Sequence, residues 1–331
     1  MAAPGNNIKR TFFAVIAMIT LLLPATFGQD EQDPSEINIG IPVYSQYLHN
    51  GLIINPAYAG TRGALSGFLS VRKQWFGIEG SPTLESLSLH APMKDEKVAI
   101  GLSAQFLQYG LTRTSNLYGS YAYHIKLDKG KISFGMRAGL DVSNTNYSGI
   151  SYIPPSGGPD DPVFTAEEKP YILPNAGAGV WYYNDELFAG LAIPSFLGYK
   201  KSPSGKVSPG FGFNNLSFII TAGGLINAGE LLKIKPSFLA NISPDKGKKV
   251  SQFDLNANFI IADLVWLGAS YRLSEQVLVA IAQFQVNSQI MVGVSYDYAI
   301  GRMQTYSDGS FEFIVRYDFG SKISITNPRY F

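Results

Sequence analysis

The chain has 331 residues, a formal net charge of +1 and no cysteine. The missing cysteines exclude disulfides, thiolate zinc sites and thiol nucleophiles, and a near-neutral charge gives no electrostatic case for nucleic acid. Only 15% of residues are charged while 13% are aromatic, against about a quarter charged in an ordinary soluble domain, so much of the surface must meet something other than water.

At the N-terminus, Lys9 and Arg10 precede an apolar run over residues 11–23, followed by Pro24 and the small residues up to Gly28. A charged start, a short apolar stretch and a small-residue site predict a cleaved signal peptide over 1–28. The competing reading, an anchor helix, needs about 20 apolar residues. No later segment meets that length; the apolar run 259–267 is broken by Asp263. A helical membrane protein is therefore excluded, which leaves a secreted β-rich protein or a transmembrane β-barrel. Residues 29–63 read as a periplasmic N-terminal segment. They carry the densest run of special residues in the chain, the turn Asn55-Pro56-Ala57-Tyr58-Ala59-Gly60, which nothing downstream repeats.

From residue 64 the pattern has a period of two, the mark of strands with one apolar and one polar face. The first strand, 64–72, sets Leu65, Leu69 and Val71 against Ser66, Ser70 and Arg72. Further strands are predicted at 83–91, 98–107, 111–127, 131–147, 175–183, 187–193, 216–225, 232–241, 252–261, 265–272, 277–284, 289–298 and 310–319. The last sets Phe311, Phe313, Val315, Tyr317 and Phe319 against Ser310, Glu312, Ile314, Arg316 and Asp318. Aromatics outside and charges inside suit a barrel in lipid better than a sandwich. The reading is an all-β, antiparallel transmembrane barrel of about 14 strands over 64–319, with a periplasmic tail at 320–331.

In an even-stranded barrel both ends of the wall open on the periplasmic side, where turns are short, and longer loops lie outside. The Pro/Gly-rich segments 148–173 and 194–214 follow strands five and seven, which makes them external. The turns at Asp128-Lys129-Gly130 and Asn184-Asp185-Glu186 follow strands four and six, which makes them periplasmic. There is no repeat longer than a hairpin and no domain boundary after residue 28.

Catalytic and metal signals are weak. His49, His90 and His124 show no ligand spacing and read as structural or surface residues. Gly177-Ala178-Gly179 sits in a strand without a following helix, so its glycines read as relief of crowding, not a phosphate loop. Asp160, Asp161, Glu167 and Glu168 form an acidic loop cluster, read as solvated. Ser195 lacks a nucleophile-elbow context. Asp297, Glu312 and Asp318, with Arg316, read as a charge-balanced interior network. Trp75, Phe76, Trp181, Tyr182, Tyr183, Tyr296, Tyr298 and Tyr317, near strand ends, read as interfacial girdles. No cofactor and no enzyme activity are expected.

The block Tyr44-Ser45-Gln46-Tyr47, Asn50, Asn55 to Gly60, Gln74-Trp75, Pro82-Thr83 and His90-Ala91-Pro92 resembles the PorP/SprF family, as does the ending Asn327-Pro328-Arg329-Tyr330-Phe331. Ile41-Pro42-Val43 departs from the family's usual lead. The resemblance implies an outer-membrane component of the type IX secretion and gliding-motility apparatus of Bacteroidetes. Implied partners are cargo proteins such as adhesins, recognised through their C-terminal signal domains, and periplasmic components that bind peptidoglycan. It makes Tyr44, Gln46, Tyr47, Asn50, Asn55, Pro56, Ala57 and Gly60 candidate plug or partner residues, placed at the periplasmic rim, together with Arg329, Tyr330 and Phe331 of the tail. The turn could instead merely steer the chain into strand one, Pro56 fixing φ and Gly60 permitting the bend. A second functional class is an outer-membrane channel or uptake porin for small solutes.

Overall fold

The computed structural model describes residues 36–37, 43–146, 169–202, 207–212, 216–243 and 249–320. The predicted signal peptide, the acidic loop cluster and Arg329, Tyr330 and Phe331 lie outside these residues. Fourteen antiparallel strands form the wall: β1 (Leu65–Lys73), β2 (Thr83–Pro92), β3 (Val98–Tyr109), β4 (Thr112–Leu127), β5 (Gly130–Thr145), β6 (Tyr171–Tyr183), β7 (Leu187–Ile193), β8 (Phe218–Gly224), β9 (Leu232–Ser243), β10 (Lys249–Ile261), β11 (Val265–Arg272), β12 (Val277–Gln285), β13 (Ile290–Ala299) and β14 (Ser310–Phe319). Each pairs with its sequence neighbours. The barrel closes where β14 meets β1, with Ile314 opposite Ser70. Closure is required because lipid cannot satisfy an open strand edge.

The two-residue alternation explains which face is which. Leu65, Leu69, Val71, Leu117, Phe311 and Phe313 point outward and are 42–60% exposed, whereas Ser66, Ser70, Arg72, Glu312 and Arg316 are buried inside. Such an outward apolar belt would be costly in water and is favourable in hydrocarbon. Turns after even-numbered strands are short, as at 93–97, 128–129, 184–186 and 262–264. The longest connections, 146–170 and 194–217, follow odd-numbered strands.

Several expectations are corrected. The connection 194–214 is not irregular throughout. Gly198–Lys201 and Val207–Gly210 form a hairpin, and Glu36–Ile37 adds a third strand to it, with Glu36 opposite Lys200. Pro209 is tolerated there because it lies on the edge strand. The sixth strand starts at Tyr171 and includes Pro174. Trp181 is not a girdle residue: it points into the lumen, stacked on Phe188 with ring centroids 5.2 Å apart. Tyr183, two residues on and therefore on the same face, packs against the same inner cluster. The described N-terminal stretch also differs from a rim segment. Residues 43–63 run through the lumen, because their buried polar groups find partners only on the inward face of the wall.

Candidate functional site: the lumenal segment

The lumenal segment is built from three short turns of helix, Tyr47–His49, Gly51–Ile54 and Pro56–Tyr58. The breaks between them follow from the sequence. Asn50 and Asn55 take non-helical backbone, and the Asn55 side chain caps the last turn by accepting from the Ala57 N–H at 2.9 Å. Pro56 supplies the first helical position, where a missing N–H is harmless. Apolar side chains from these turns form two inner clusters, one around Leu52, Ala57, Tyr58 and Trp181, the other around Tyr44, Tyr47, Ile53 and Ile54.

At the mouth bounded by the odd-strand connections the segment is held by ions. Ser45 Oγ donates to the Asp297 carboxylate at 2.7 Å and accepts from Arg72 Nη1 at 2.9 Å and Arg272 Nη2 at 3.2 Å. The Ser45 N–H donates to Glu312 Oε2 at 2.8 Å. A hydroxyl has one donor and two lone pairs, so Ser45 is saturated by three strands of the wall. The arginines bind their own carboxylates: Arg72 to Asp297 at 2.7 Å and Glu312 at 3.4 Å, and Arg272 to Asp254 at 3.1 Å and Asp297 at 3.2 Å. The expected interior network is present, but Asp297 and Glu312 pair with these two arginines. Arg316 pairs with Asp318 at 3.4 Å.

Further in, the polar side chains among the described site residues have wall partners. Tyr44 Oη hydrogen-bonds with Ser86 Oγ at 3.0 Å and accepts from Gln105. Gln46 accepts from Gln283 at 2.9 Å, and the Tyr47 and Ser237 hydroxyls lie 3.4 Å apart. Asn50 accepts from Ser88 at 3.2 Å. Asn55 Nδ2 donates to the carbonyls of Val180 at 3.0 Å and Leu191 at 3.3 Å, on β6 and β7. The wall is thinned to admit it. A Cβ on Gly179 would collide with the Asn55 side chain, and one on Gly135 with the Pro56–Ala57 backbone. The crowding relieved at Gly179 is thus the approach of this asparagine.

At the opposite mouth, the even-strand end, two histidines grip the bend. The Gly60 N–H donates to His90 Nδ1 at 3.0 Å, and His124 Nε2 donates to the Ala59 carbonyl at 2.9 Å. Gly60 has φ +76°, which disfavours any other residue. Arg62 then binds Asp318 at 2.9 Å just before β1 begins. His49, midway, lies between Gln283 at 2.9 Å and Arg316 at 3.0 Å.

Sequence reasoning missed Ser45, His49, Arg62 and Arg272 as members of this site. The available signal was positional. Arg72 and Arg272 are inward-facing arginines near the ends of their strands, and Ser45 lies within the distinctive block. Among the described residues no three acidic or histidine side chains gather as metal ligands.

Fold and site together define an outer-membrane β-barrel whose own N-terminal segment lies in its lumen. The family model for type IX secretion system membrane protein PorP/SprF matches residues 37–317. The chain belongs to the PorP/SprF family, a family of secretion-system membrane proteins and not of enzymes. No curated protein matches it. Among solved structures it is similar to the CymD monoaromatic hydrocarbon channel, at 12% identity and TM-score 0.51, covering 87% of this chain and 95% of that one. The Ralstonia pickettii toluene transporter TbuX aligns at 11% identity and TM-score 0.45, over 81% and 93% of the two chains. A Pseudomonas aeruginosa FadL homologue aligns at 12% and 0.44, over 80% and 93%. At such identities the first likeness shows the barrel fold alone.

Proposed function

We propose that this protein is a plugged, non-enzymatic barrel of the type IX secretion and gliding machinery. It supports secretion or surface anchoring of cargo proteins such as adhesins, engaged through their C-terminal signal domains. Its other partners are further secretion components and periplasmic proteins that bind peptidoglycan. Residues 29–35 follow a signal peptide removed after Gly28, and Arg329, Tyr330 and Phe331 form a periplasmic contact in the tail. The observation that carries this reading is the occupied lumen: Ser45, Asn55 and Gly60 tie the segment to the wall from mouth to mouth. A barrel filled in this way serves as a platform for protein partners and not as an open pore.

Deleting the gene and measuring surface adhesin tests this. Loss of the adhesin from the surface is the expected result. Normal adhesin display with impaired uptake of a small solute would favour the channel class instead. Replacing Asn55 and Pro56 while following both assembly and cargo display separates roles for the segment. Lost assembly alone would leave it only a steering role into β1.

A further inference from the structure

We infer that Glu36 and Ile37 lie on the external face of the outer membrane, so that the chain enters the lumen from outside although its wall begins at the periplasmic rim. The first observation is a pairing. Glu36 and Ile37 sit opposite Lys200 and Tyr199, within the connection from β7 to β8, which leaves the barrel at the odd-strand end.

Two further observations fix the direction of travel. Ser45 is held level with Arg72, Arg272 and Asp297, which lie at the odd-strand ends of β1, β11 and β13. Ala59, Gly60 and Arg62 are held by His124, His90 and Asp318 respectively, at the even-strand ends of β4, β2 and β14. The segment therefore runs from the odd-strand mouth to the even-strand mouth and only then turns into β1. From Ile37 to Ser45 an extended chain reaches at most about 27 Å. That reach is close to the height of about 25 Å of an outer-membrane barrel's apolar band, so it is the pairing with Tyr199 that sets Ile37 at the mouth where Ser45 is anchored.

The sides follow from loop length. In outer-membrane barrels short turns face the periplasm and long loops face outward, and here the four longest connections, 146–170, 194–217, 300–309 and 74–82, all follow odd strands. The odd-strand mouth is external, and with it the small sheet that Glu36–Ile37 completes. The external face thus carries a composite sheet made of two distant stretches of sequence, and the arm supplies one of its edge strands.

The cysteine-free chain makes the test direct. Single variants Glu36→Cys, Tyr306→Cys in the β13–β14 connection and Asp185→Cys in the β6–β7 turn are exposed to a membrane-impermeant maleimide on intact cells. Glu36→Cys and Tyr306→Cys are expected to label, and Asp185→Cys only after permeabilisation. Labelling of Glu36→Cys only after permeabilisation, while Tyr306→Cys labels on intact cells, overturns the inference. So does labelling of Asp185→Cys but not Tyr306→Cys on intact cells. If Glu36→Cys fails to assemble, an epitope placed immediately before Glu36 reports instead: antibody binding to intact cells supports the external position, and binding only after permeabilisation overturns it. This outcome is independent of whether adhesin display needs the protein.

Discussion

Ser45 shows how one small side chain ties a segment to a wall. Its hydroxyl joins two arginines to Asp297, and all of these groups are buried. Ser45→Ala leaves parts of that network unsatisfied, at a cost of about 1–3 kcal/mol. Asp297→Asn removes the charge that Arg72 and Arg272 share and costs about 3–5 kcal/mol. Urea unfolding of the two purified variants is expected to rank them in that order; equal midpoints would refute the network's role.

At the scale of elements, the lumenal turns and the wall are matched surfaces. Gly135 and Gly179 leave room for Ala57 and Asn55, and a larger side chain must push the segment off the wall. Gly135→Val is therefore expected to keep the barrel's heat-modifiable band while making the segment sensitive to added protease. Unchanged protection would show that the close approach is not needed. On the outer face Leu117 is 60% exposed and contributes to the lipid belt. Leu117→Arg should destabilise by about 2–4 kcal/mol if it lies near the bilayer midplane, measured by refolding into lipid vesicles. The strands themselves were legible because their alternation is local: the predicted β7, β11 and β14 match the observed bounds. Trp181 was misplaced because an aromatic near a strand end looks the same whether it meets lipid or an inner segment. Only its parity with Gly179, whose inward face meets Asn55, distinguishes the two.

At the scale of the whole molecule, the barrel and its lumenal segment form one closed object. Reconstituted into planar bilayers the protein is expected to give little stable conductance, and a variant lacking residues 43–61 is expected to conduct. A large steady conductance from the intact protein would instead favour the channel class. The sequence by itself determined the strand number, the two faces and the two ends, since each depends on periodicity and loop length, which are properties of neighbouring residues. It also marked the block from Tyr44 to Gly60 as unusual. Only the tertiary structure decided that this block fills the lumen, that Ser45 meets Arg72, Arg272 and Asp297, and that Glu36 joins the β7–β8 hairpin. Those contacts join residues as far as 267 positions apart in the chain. They exist because closing the barrel brings every inward face to one axis, where buried charges must find partners.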